Sequence, residues 1–226
     1  MAERYVLKFS KGGYAKYTSH LDLLRFFKRA FRKTGIDLRY SQGFNPHPKL
    51  GFAQPLSLGY SGAEELLEFE TNIYNEPEDI MELLKPEMPE GLEIKWCGHF
   101  DSKIKSLAGE AESADYRVTI PFKISQEELE RIIDSYMAQD KITAMKRRKK
   151  DKKMVETDIK KQIRHIEGFS ADGVTVLDMT LDCGSISNCS PELVISSFCR
   201  FAELDIPRYS MDVERKKIKF YNNLQI

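Results

Sequence analysis

The chain has 226 residues, with 35 Lys and Arg against 35 Asp and Glu, and 41% of its residues are hydrophobic. This length suits one large domain or two of about 100 residues, and it buries a core without disulfide or metal support. No apolar run reaches the ~18 residues of a membrane-spanning helix, and the N-terminus lacks the apolar stretch of a signal peptide, so we expect a cytosolic protein. The four cysteines have no metal-ligand spacing, which predicts free thiols and neither metal nor cofactor.

The zero net charge is the sum of segments of opposite sign. Residues 1–50 contain eleven Lys or Arg and three acids, residues 51–100 contain two and eleven, and residues 141–164 again contain eleven and three. Such asymmetry is typical of a polyanion site or of an electrostatically matched partner. The alternative is a set of solvated faces that cluster by chance.

Hydrophobic spacing in the first hundred residues predicts the order β-α-β-β-α-β, which is the ferredoxin-like arrangement. Alternating apolar residues predict the first strand, and an apolar stripe between a Ser19 cap and a Gly35 C-cap predicts the first helix. The expected elements are strand 5–10, helix 22–34, strands 38–41, 50–53 and 65–71, helix 77–84 and strand 92–100.

A small, polar segment at residues 101–113 predicts a linker, after which the same order recurs. The expected elements are strand 116–122, helix 125–138, strand 174–181, helix 192–204 and strand 210–221. Residues 141–149 and 155–165 predict two more strands around a basic tip, with a short helix as the alternative for the second. The expected fold class is therefore α+β, with two tandem ferredoxin-like (βαββαβ) units at residues 1–100 and 114–226.

Three motifs carry a family resemblance: SHLDL at residues 19–23, YSQGFNPHP at 40–48 and FAQPLSLG at 52–59. With them, and with ADYRV at 114–118, the chain resembles the radical-SAM-linked proteins, a bacterial domain family of unknown function. In that family the domain stands alone or follows a cobalamin-type radical SAM protein, often near genes for a ribonuclease G-like enzyme and a ribosomal protein. The resemblance implies RNA or ribosome biology and a radical SAM partner. Because the chain lacks the cysteine triplet of a radical SAM cluster, it would be the accessory protein.

The expected first helix carries five cations opposite its apolar stripe, and the basic tip has seven cations in eight residues. Facing phosphates, such arrays gain affinity by counterion release. The alternatives for the helix are a protein partner or pairing with Asp22, Asp37 or the acids of residues 64–82, and for the tip, protection of a strand edge. The candidate RNA-binding residues are Arg25, Lys28, Arg29, Arg32, Lys33, Lys146, Arg147, Arg148, Lys149, Lys150, Lys152 and Lys153.

The first two motifs supply six candidate ligand residues: Ser19, His20, Asp22, Gln42, Asn45 and His47. A histidine at a helix N-terminus is held neutral, which suits a general base, so metal-independent RNA cleavage by His20 is an alternative function. The other interpretation is a histidine that packs on the sheet beside a capped helix. Prolines at residues 46 and 48 stiffen a loop that either presents a binding surface or turns a hairpin. Two histidines and one carboxylate on separate segments make a sparse ligand set, so no metal is expected.

The sequence thus predicts an RNA- or ribonucleoprotein-binding accessory module that serves a radical SAM enzyme. If the start of the helix and residues 42–48 share one end of the sheet, the six motif residues converge there. Three other functions remain open: an endoribonuclease that uses His20, a small-molecule transferase with its pocket at residues 42–47, and a protein-only adaptor that docks through the acidic residues 64–93.

Overall fold

A computed structural model describes residues 2–100, 104, 106–148, 150–171, 173–224 and 226. The chain divides into two compact units: unit 1 comprises Met1–Ala111 with Phe220–Ile226, and unit 2 comprises Glu112–Lys219. Strands and helices occur in both units, so the fold class is α+β, as the sequence predicts. None of the helices in the described part of the chain is long and apolar enough to cross a membrane.

The described residues of unit 1 form four strands and three α-helices. In chain order they are β1 (Glu3–Lys11), α1 (His20–Thr34), β2 (Leu50–Phe52), β3 (Ser61–Thr71), α2 (Pro77–Leu84), β4 (Leu92–His99) and the short α3 (Leu107–Glu110). The strands are ordered β4-β1-β3, and β2 also pairs with β3. All three pairings are antiparallel.

The core of unit 1 forms where the apolar face of β1 meets the apolar stripe of α1. Phe9 of β1 packs edge-on against Phe27 of α1, with ring centroids 5.1 Å apart. Phe31 packs against Phe69 of β3 at 4.7 Å. All four rings are buried, and each contributes about 1.5–3 kcal/mol through burial. This packing fixes one face of α1 on the sheet and leaves the opposite face to solvent.

The predicted strand at residues 38–41 is wrong as a regular element. The segment forms two isolated bridges, Leu38 with Thr71 and Tyr40 with Pro48. Arg39 donates its N–H to the Glu70 carbonyl and accepts from the Lys49 N–H, both at 2.8 Å. Residues 50–52 then take the place beside β3, so residues 41–47 leave the sheet as a loop.

In the part of unit 2 that the structure describes there are two α-helices and six strands. In chain order they are β5 (Ala111–Ile120), α4 (Gln126–Ala138), β6 (Thr143–Arg147), β7 (Met154–Asp158), β8 (Ile163–Ala171), β9 (Val174–Asp182), α5 (Pro191–Phe201) and β10 (Asp212–Phe220). Four strands are ordered β10-β5-β9-β8, and β6 pairs with β7 in a separate two-stranded sheet. The helices meet where Tyr136 of α4 packs edge-on against Phe198 of α5, with centroids 5.4 Å apart.

The sequence prediction misses β8. It expects one strand, or a short helix, at residues 155–165, whereas β7 ends at Asp158 and a turn of 3-10 helix precedes β8. A register shift between Ile163 and His165 breaks the apolar alternation of β8, and Gly168 lowers its strand propensity. A Cβ atom at residue 168 would lie 2.7 Å from Cδ1 of Ile133 on α4, so a larger residue there would displace this side chain.

Part of the expected linker is regular structure. Both α3 and the first three residues of β5 fall within residues 101–113. Leu107 is buried, and its N–H donates to Oε2 of Glu68 at 2.8 Å. Residues 101–103 and 105 lie outside the described residues. The second unit is expected to run to residue 226, whereas Phe220–Ile226 belong to unit 1.

Candidate nucleic-acid interface

Local capping sets the two ends of α1, as the sequence predicts. Ser19 Oγ accepts from the Asp22 N–H at 3.2 Å and donates to Asp22 Oδ2 at 2.8 Å. Gly35 ends the helix with a φ of 76°, a left-handed conformation that favours glycine. The hydrogen bonds from Ser19 and, secondarily, from Arg25 hold the pKa of Asp22 below its ordinary value, so this side chain is a carboxylate at neutral pH.

The solvent face of α1 carries the five expected cations. We call this set the α1 cation array: Arg25, Lys28, Arg29, Arg32 and Lys33. The side chains of Arg25 and Lys33 at its two ends are 72% and 71% exposed. Arg29 and Arg32 are exposed, and Lys28 is partly buried. The buried rings of Phe27 and Phe31 hold the helix from below, so the cations stand on a rigid support.

Among the described residues, acids pair with the two ends of the α1 cation array and not with its centre. Arg25 Nη1 lies 2.8 Å from Asp22 Oδ1, and Lys33 Nζ lies 2.7 Å from Glu87 Oε2. Three cations, which we call the central trio, have no ion-pair partner in these residues: Lys28, Arg29 and Arg32. The centre of the array is therefore left uncompensated within the described fold.

Most of the acids considered as internal partners are engaged elsewhere. Asp37 accepts from Asn72 Nδ2 at 3.0 Å. Three acids of β3 pair with other cations: Glu64 with Lys8 at 3.3 Å, Glu68 with Arg4 at 2.7 Å, and Glu70 with Arg39 and Lys49 at 3.3 and 3.0 Å. Internal pairing thus accounts for Arg25 and Lys33, through Asp22 and an acid beyond residues 64–82, but it does not reach the central trio.

The second basic region is the β6–β7 hairpin, whose base is packed. Ile142 and Ala144 are buried at the start of β6. The Thr143 carbonyl accepts from Ser197 Oγ at 3.0 Å and from Arg200 Nη2 at 2.6 Å, and both donors lie on α5. Two hydrogen bonds from a helix therefore anchor the hairpin at its base.

The tip of the β6–β7 hairpin is exposed and held by local contacts. Arg148 Nη1 lies 3.4 Å from Asp151 Oδ2, and Arg147 Nε donates to the Lys152 carbonyl at 3.2 Å. Six of the seven predicted cations are described here, and all six are exposed: Lys146, Arg147, Arg148, Lys150, Lys152 and Lys153. Lys149 lies outside the described residues. The tip therefore concentrates positive charge on a segment that is held by contacts within the tip itself.

The loop of residues 41–47 is closed at its base and exposed above it. Ser41 N–H donates to the His47 carbonyl at 2.8 Å, and His47 N–H donates to Ser41 Oγ at 3.0 Å. Gln42, Asn45 and His47 are exposed. So is Phe44, with a relative exposure of 112%. The sequence interpretation missed Phe44, although an aromatic residue inside a Gly-, Asn- and Pro-rich loop has no core to pack against, which was an available signal.

The segment that leads to His20 and the loop of residues 41–47 lie at opposite ends of β3. Lys11, at the end of β1, pairs with Gly62 near the first residue of β3. The turn Gly13–Tyr17 then leads from β1 to His20 at the start of α1. The base of the loop lies instead beside Glu70, one residue before β3 ends. No hydrogen bond or ion pair within the described ranges links His20 to the loop. The structure therefore brings Ser19 and Asp22 together, but not the six motif residues.

His20 is exposed at the first position of α1, so it does not pack on the sheet. No hydrogen-bond partner orients its ring in the part of the chain that is described. The same part contains no group of three or more His, Cys, Asp or Glu side chains placed to hold a metal ion, so His20, Asp22 and His47 form no such group. A cavity of about 240 Å³ near the loop is lined from Lys49 to Phe52 and by β3 and α3, but not by residues 42–47.

The four cysteines are free thiols, as predicted, and three of them are buried. Burial raises the pKa of Cys97 and of Cys189 to about 12. Burial also raises the pKa of the partly buried Cys199. These three side chains are therefore protonated thiols at neutral pH and poor nucleophiles.

Comparison with known proteins gives one family and no activity. Residues 4–191 match the family described as "Uncharacterized protein conserved in bacteria (DUF2344)". No curated protein matches the chain. A crystal structure of an unknown protein from Galdieria sulphuraria is similar at 12% identity and a TM-score of 0.31, over 96% of this chain and 98% of that chain. The residues that match the family, 4–191, include α1, the loop of residues 41–47 and the β6–β7 hairpin.

Proposed function

This chain belongs to a family of uncharacterized proteins conserved in bacteria, and we propose that it binds RNA or a ribonucleoprotein. The α1 cation array and the tip of the β6–β7 hairpin would contact phosphates. The observation that carries the proposal is the central trio, Lys28, Arg29 and Arg32, which has no ion-pair partner among the described residues. Phosphates would supply the missing charge and release counterions.

The cost of the array supports a ligand rather than a solvated face. Each pair of like charges spaced three or four residues apart on a helix destabilises the helix by a few tenths of a kcal/mol. The described structure relieves this repulsion at the two ends of the array through Asp22 and Glu87. The centre keeps its repulsion on a helix that its buried face holds in place. A polyanion would relieve it without reordering the backbone.

The strand orders support the proposal that each unit is ferredoxin-like. In unit 1 the third strand, β3, pairs with both β1 and β2. In unit 2, β9 likewise lies between β5 and β8. A third strand between the first two is the split β-α-β arrangement of this fold. In this proposal the β6–β7 hairpin is an insertion between α4 and β8.

The family resemblance of the three sequence motifs adds a partner to the proposal. A radical SAM enzyme would carry out the chemistry, and this chain would hold its RNA or ribonucleoprotein substrate. The cysteines are consistent with an accessory role, because Cys97, Cys183, Cys189 and Cys199 lack the close spacing of the cysteine triplet that holds a radical SAM cluster.

A protein-binding adaptor is the second candidate, and the outer face of α2 favours it. Glu78, Asp79 and Glu82 are exposed and have no ion-pair partner in the described residues. Glu78 and Asp79 also lie in the first turn, where negative charge stabilises the helix dipole. Capping electrostatics thus explains two of the three acids, and for this reason RNA is the primary proposal.

The test is fluorescence-anisotropy binding of labelled total tRNA and of an rRNA fragment at several salt concentrations. The test variant reverses the central trio: Lys28→Glu, Arg29→Glu and Arg32→Glu. We expect affinity at low salt to fall by on the order of 100-fold, and the slope of log K against log salt to decrease by about two. The matched control reverses three exposed cations outside the two basic segments: Lys85→Glu, Lys95→Glu and Lys123→Glu. This control changes net charge equally and keeps nearly all of the affinity.

Two results would contradict the proposal: no binding by the wild-type chain at low salt, or equal losses in the two variants. The first result would direct attention to the adaptor surface on α2. RNA incubated with the wild-type chain and with His20→Ala is expected to stay intact in both. Cleavage by the wild type that disappears in His20→Ala would replace the binding module with an endoribonuclease.

A further inference from the structure

Phe44 is the most exposed large hydrophobic side chain in the described part of the chain, at 112%. Its neighbours Gln42 and Asn45 are exposed as well, and no hydrogen bond within the described residues occupies either side-chain amide. An aromatic ring in water forgoes the free energy of burial. The loop therefore presents one stacking surface and two amides, each with donor and acceptor atoms to offer.

Hydrogen bonds and prolines restrict the backbone of this loop. Two hydrogen bonds between Ser41 and His47 close its base. Gly43 has a φ of 127°, which an L-residue with a side chain rarely adopts, and prolines at 46 and 48 restrict the chain on the far side of Phe44. A loop held this way loses little conformational entropy when it binds.

The surroundings of the loop carry positive charge and connect it to α1. No Asp or Glu occurs between Asp37 and Glu64 in the sequence. Arg39 and Lys49 at the base share the single carboxylate of Glu70, at 3.3 and 3.0 Å. Five residues lie between Thr34, the end of α1, and Tyr40, so the helix end and the loop base lie within about 20 Å of each other. A strand of RNA on the central trio can reach the loop.

We propose that the loop of residues 41–47 recognises an unpaired base of single-stranded RNA. Phe44 stacks on the base, and Gln42 and Asn45 hydrogen-bond to its edge. This inference rests on the proposed RNA-binding function and adds the class of RNA. Aromatic stacking combined with amide contacts to base edges is how proteins read single-stranded RNA. A duplex buries the faces of its bases in the stack and offers Phe44 nothing to cover.

The experiment compares labelled single-stranded 12-mers of each base with a 12-base-pair RNA duplex, in the anisotropy assay. Phe44→Ala is expected to weaken single-strand binding about 5- to 100-fold, to leave the salt slope unchanged and to leave duplex binding unchanged. Phe44→Trp keeps a stacking ring and is expected to keep the affinity. Tyr209→Ala is the matched control, since Tyr209 of unit 2 is 90% exposed and its loss should have no effect.

A fluorescence readout separates stacking from a structural change. Phe44→Trp in a Trp96→Phe background places the single tryptophan at the loop tip, because Trp96 is the native one. Its emission is expected to be quenched by the single-stranded 12-mers and to be unaffected by the duplex. Equal quenching by both, or none by either, would overturn the stacking role of Phe44.

The variants also separate this inference from the function it rests on. If Phe44→Ala binds single strands like the wild type while reversal of the central trio abolishes binding, the loop inference fails and RNA binding stands. If reversal of the central trio has no effect on binding, the proposed RNA binding through α1 is wrong. Equal losses of Phe44→Ala for single strands and duplex would assign Phe44 to another contact, such as a protein partner, and would overturn the inference.

The amides are tested by the pattern across the four bases. Gln42→Ala and Asn45→Ala are expected to change the ratio of the four single-strand affinities by about 5-fold or more, because each amide distinguishes donors from acceptors on a base edge. Unchanged ratios in both variants would remove the amides from base recognition. Phe44 would then be a stacking surface without base preference.

Discussion

The two basic regions of this chain differ in what lies beneath their charges. The α1 cation array stands on a 15-residue helix whose opposite face is buried in the core of unit 1. The tip of the β6–β7 hairpin stands on a two-stranded sheet that is anchored at Thr143, buried at Ala144 and exposed from Met145 to the tip. The two basic regions therefore differ in rigidity.

This difference predicts a division of roles. Cations on a rigid helix keep their mutual spacing and can match a defined set of phosphates. Cations on an exposed tip retain more side-chain freedom. They therefore add long-range electrostatic attraction without fixing the position of the ligand. Under the proposed RNA-binding function, the helix would determine where RNA binds, and the hairpin would determine how strongly RNA is attracted at low salt.

The largest expected effect comes from removal of the support beneath the helix. Phe31→Ala deletes a buried ring that packs on Phe69 at 4.7 Å, and the cavity should lower the free energy of unfolding by about 3–5 kcal/mol. Urea denaturation followed by circular dichroism measures it. The matched variant in the hairpin, Met145→Ala, removes an exposed side chain and should cost less than about 0.5 kcal/mol. Equal losses would contradict the assignment of a rigid and a pliant basic region.

A smaller effect is expected when the hairpin loses charge. Lys146→Gln, Arg147→Gln and Lys153→Gln together should weaken RNA binding about 10-fold at low salt and much less near physiological salt, since screening over about 8 Å reduces long-range attraction. The melting temperature should not change. The matched variant is neutralisation of the central trio, Lys28→Gln, Arg29→Gln and Arg32→Gln, which is expected to weaken binding more at both salt concentrations. The reverse order would make the hairpin the primary contact.

The smallest effect is expected at the cap of α1. Ser19→Ala removes the hydroxyl that accepts from the Asp22 N–H, and it should lower the free energy of unfolding by about 1 kcal/mol. Because the folded pKa of Asp22 lies below 3.8, its carboxylate stabilises the folded state above that pH. This contribution disappears as the pH falls through the lowered value. The stabilities of the wild type and Asp22→Asn in urea titrations should therefore differ at pH 6, and the difference should shrink as the pH falls below 3.8.

Convergence of the two curves at pH 6 would show that Asp22 has no role in the cap. Ser19→Thr is the conservative variant, because its hydroxyl can occupy the same place, and it should keep most of the stability. A loss as large as that of Ser19→Ala would attribute the effect to the backbone of this turn rather than to the hydrogen bond.

Local chemistry made much of unit 1 predictable. The Ser19 cap, the Gly35 C-cap and the apolar stripe of α1 are contained within 17 consecutive residues, and the helix has the predicted ends to within two residues. The cationic face follows from the same periodicity, because residues opposite an apolar stripe must face solvent. The basic hairpin was predicted from the run of cations, although not its separation from the other strands.

Contacts between distant residues decided the rest. The pairing of Lys33 with Glu87 joins residues 54 positions apart, and no local pattern shows that Lys28, Arg29 and Arg32 go without such a partner. Strand β8 was missed because a bulge and Gly168 weaken its sequence pattern. The glycine is explained by its close contact with Leu129 and Ile133 of α4, which is a tertiary contact.

By itself, then, the sequence determined what helices and caps need: short-range spacing and local hydrogen bonds, as in α1 between Ser19 and Gly35. It also determined the sign of the charge on each segment. The tertiary structure decided which charges find partners, that His20 and the loop of residues 41–47 leave from opposite ends of β3, and that Phe44 stays in solvent. The physical reason is that burial and ion pairing depend on distances through space, which a linear pattern does not contain.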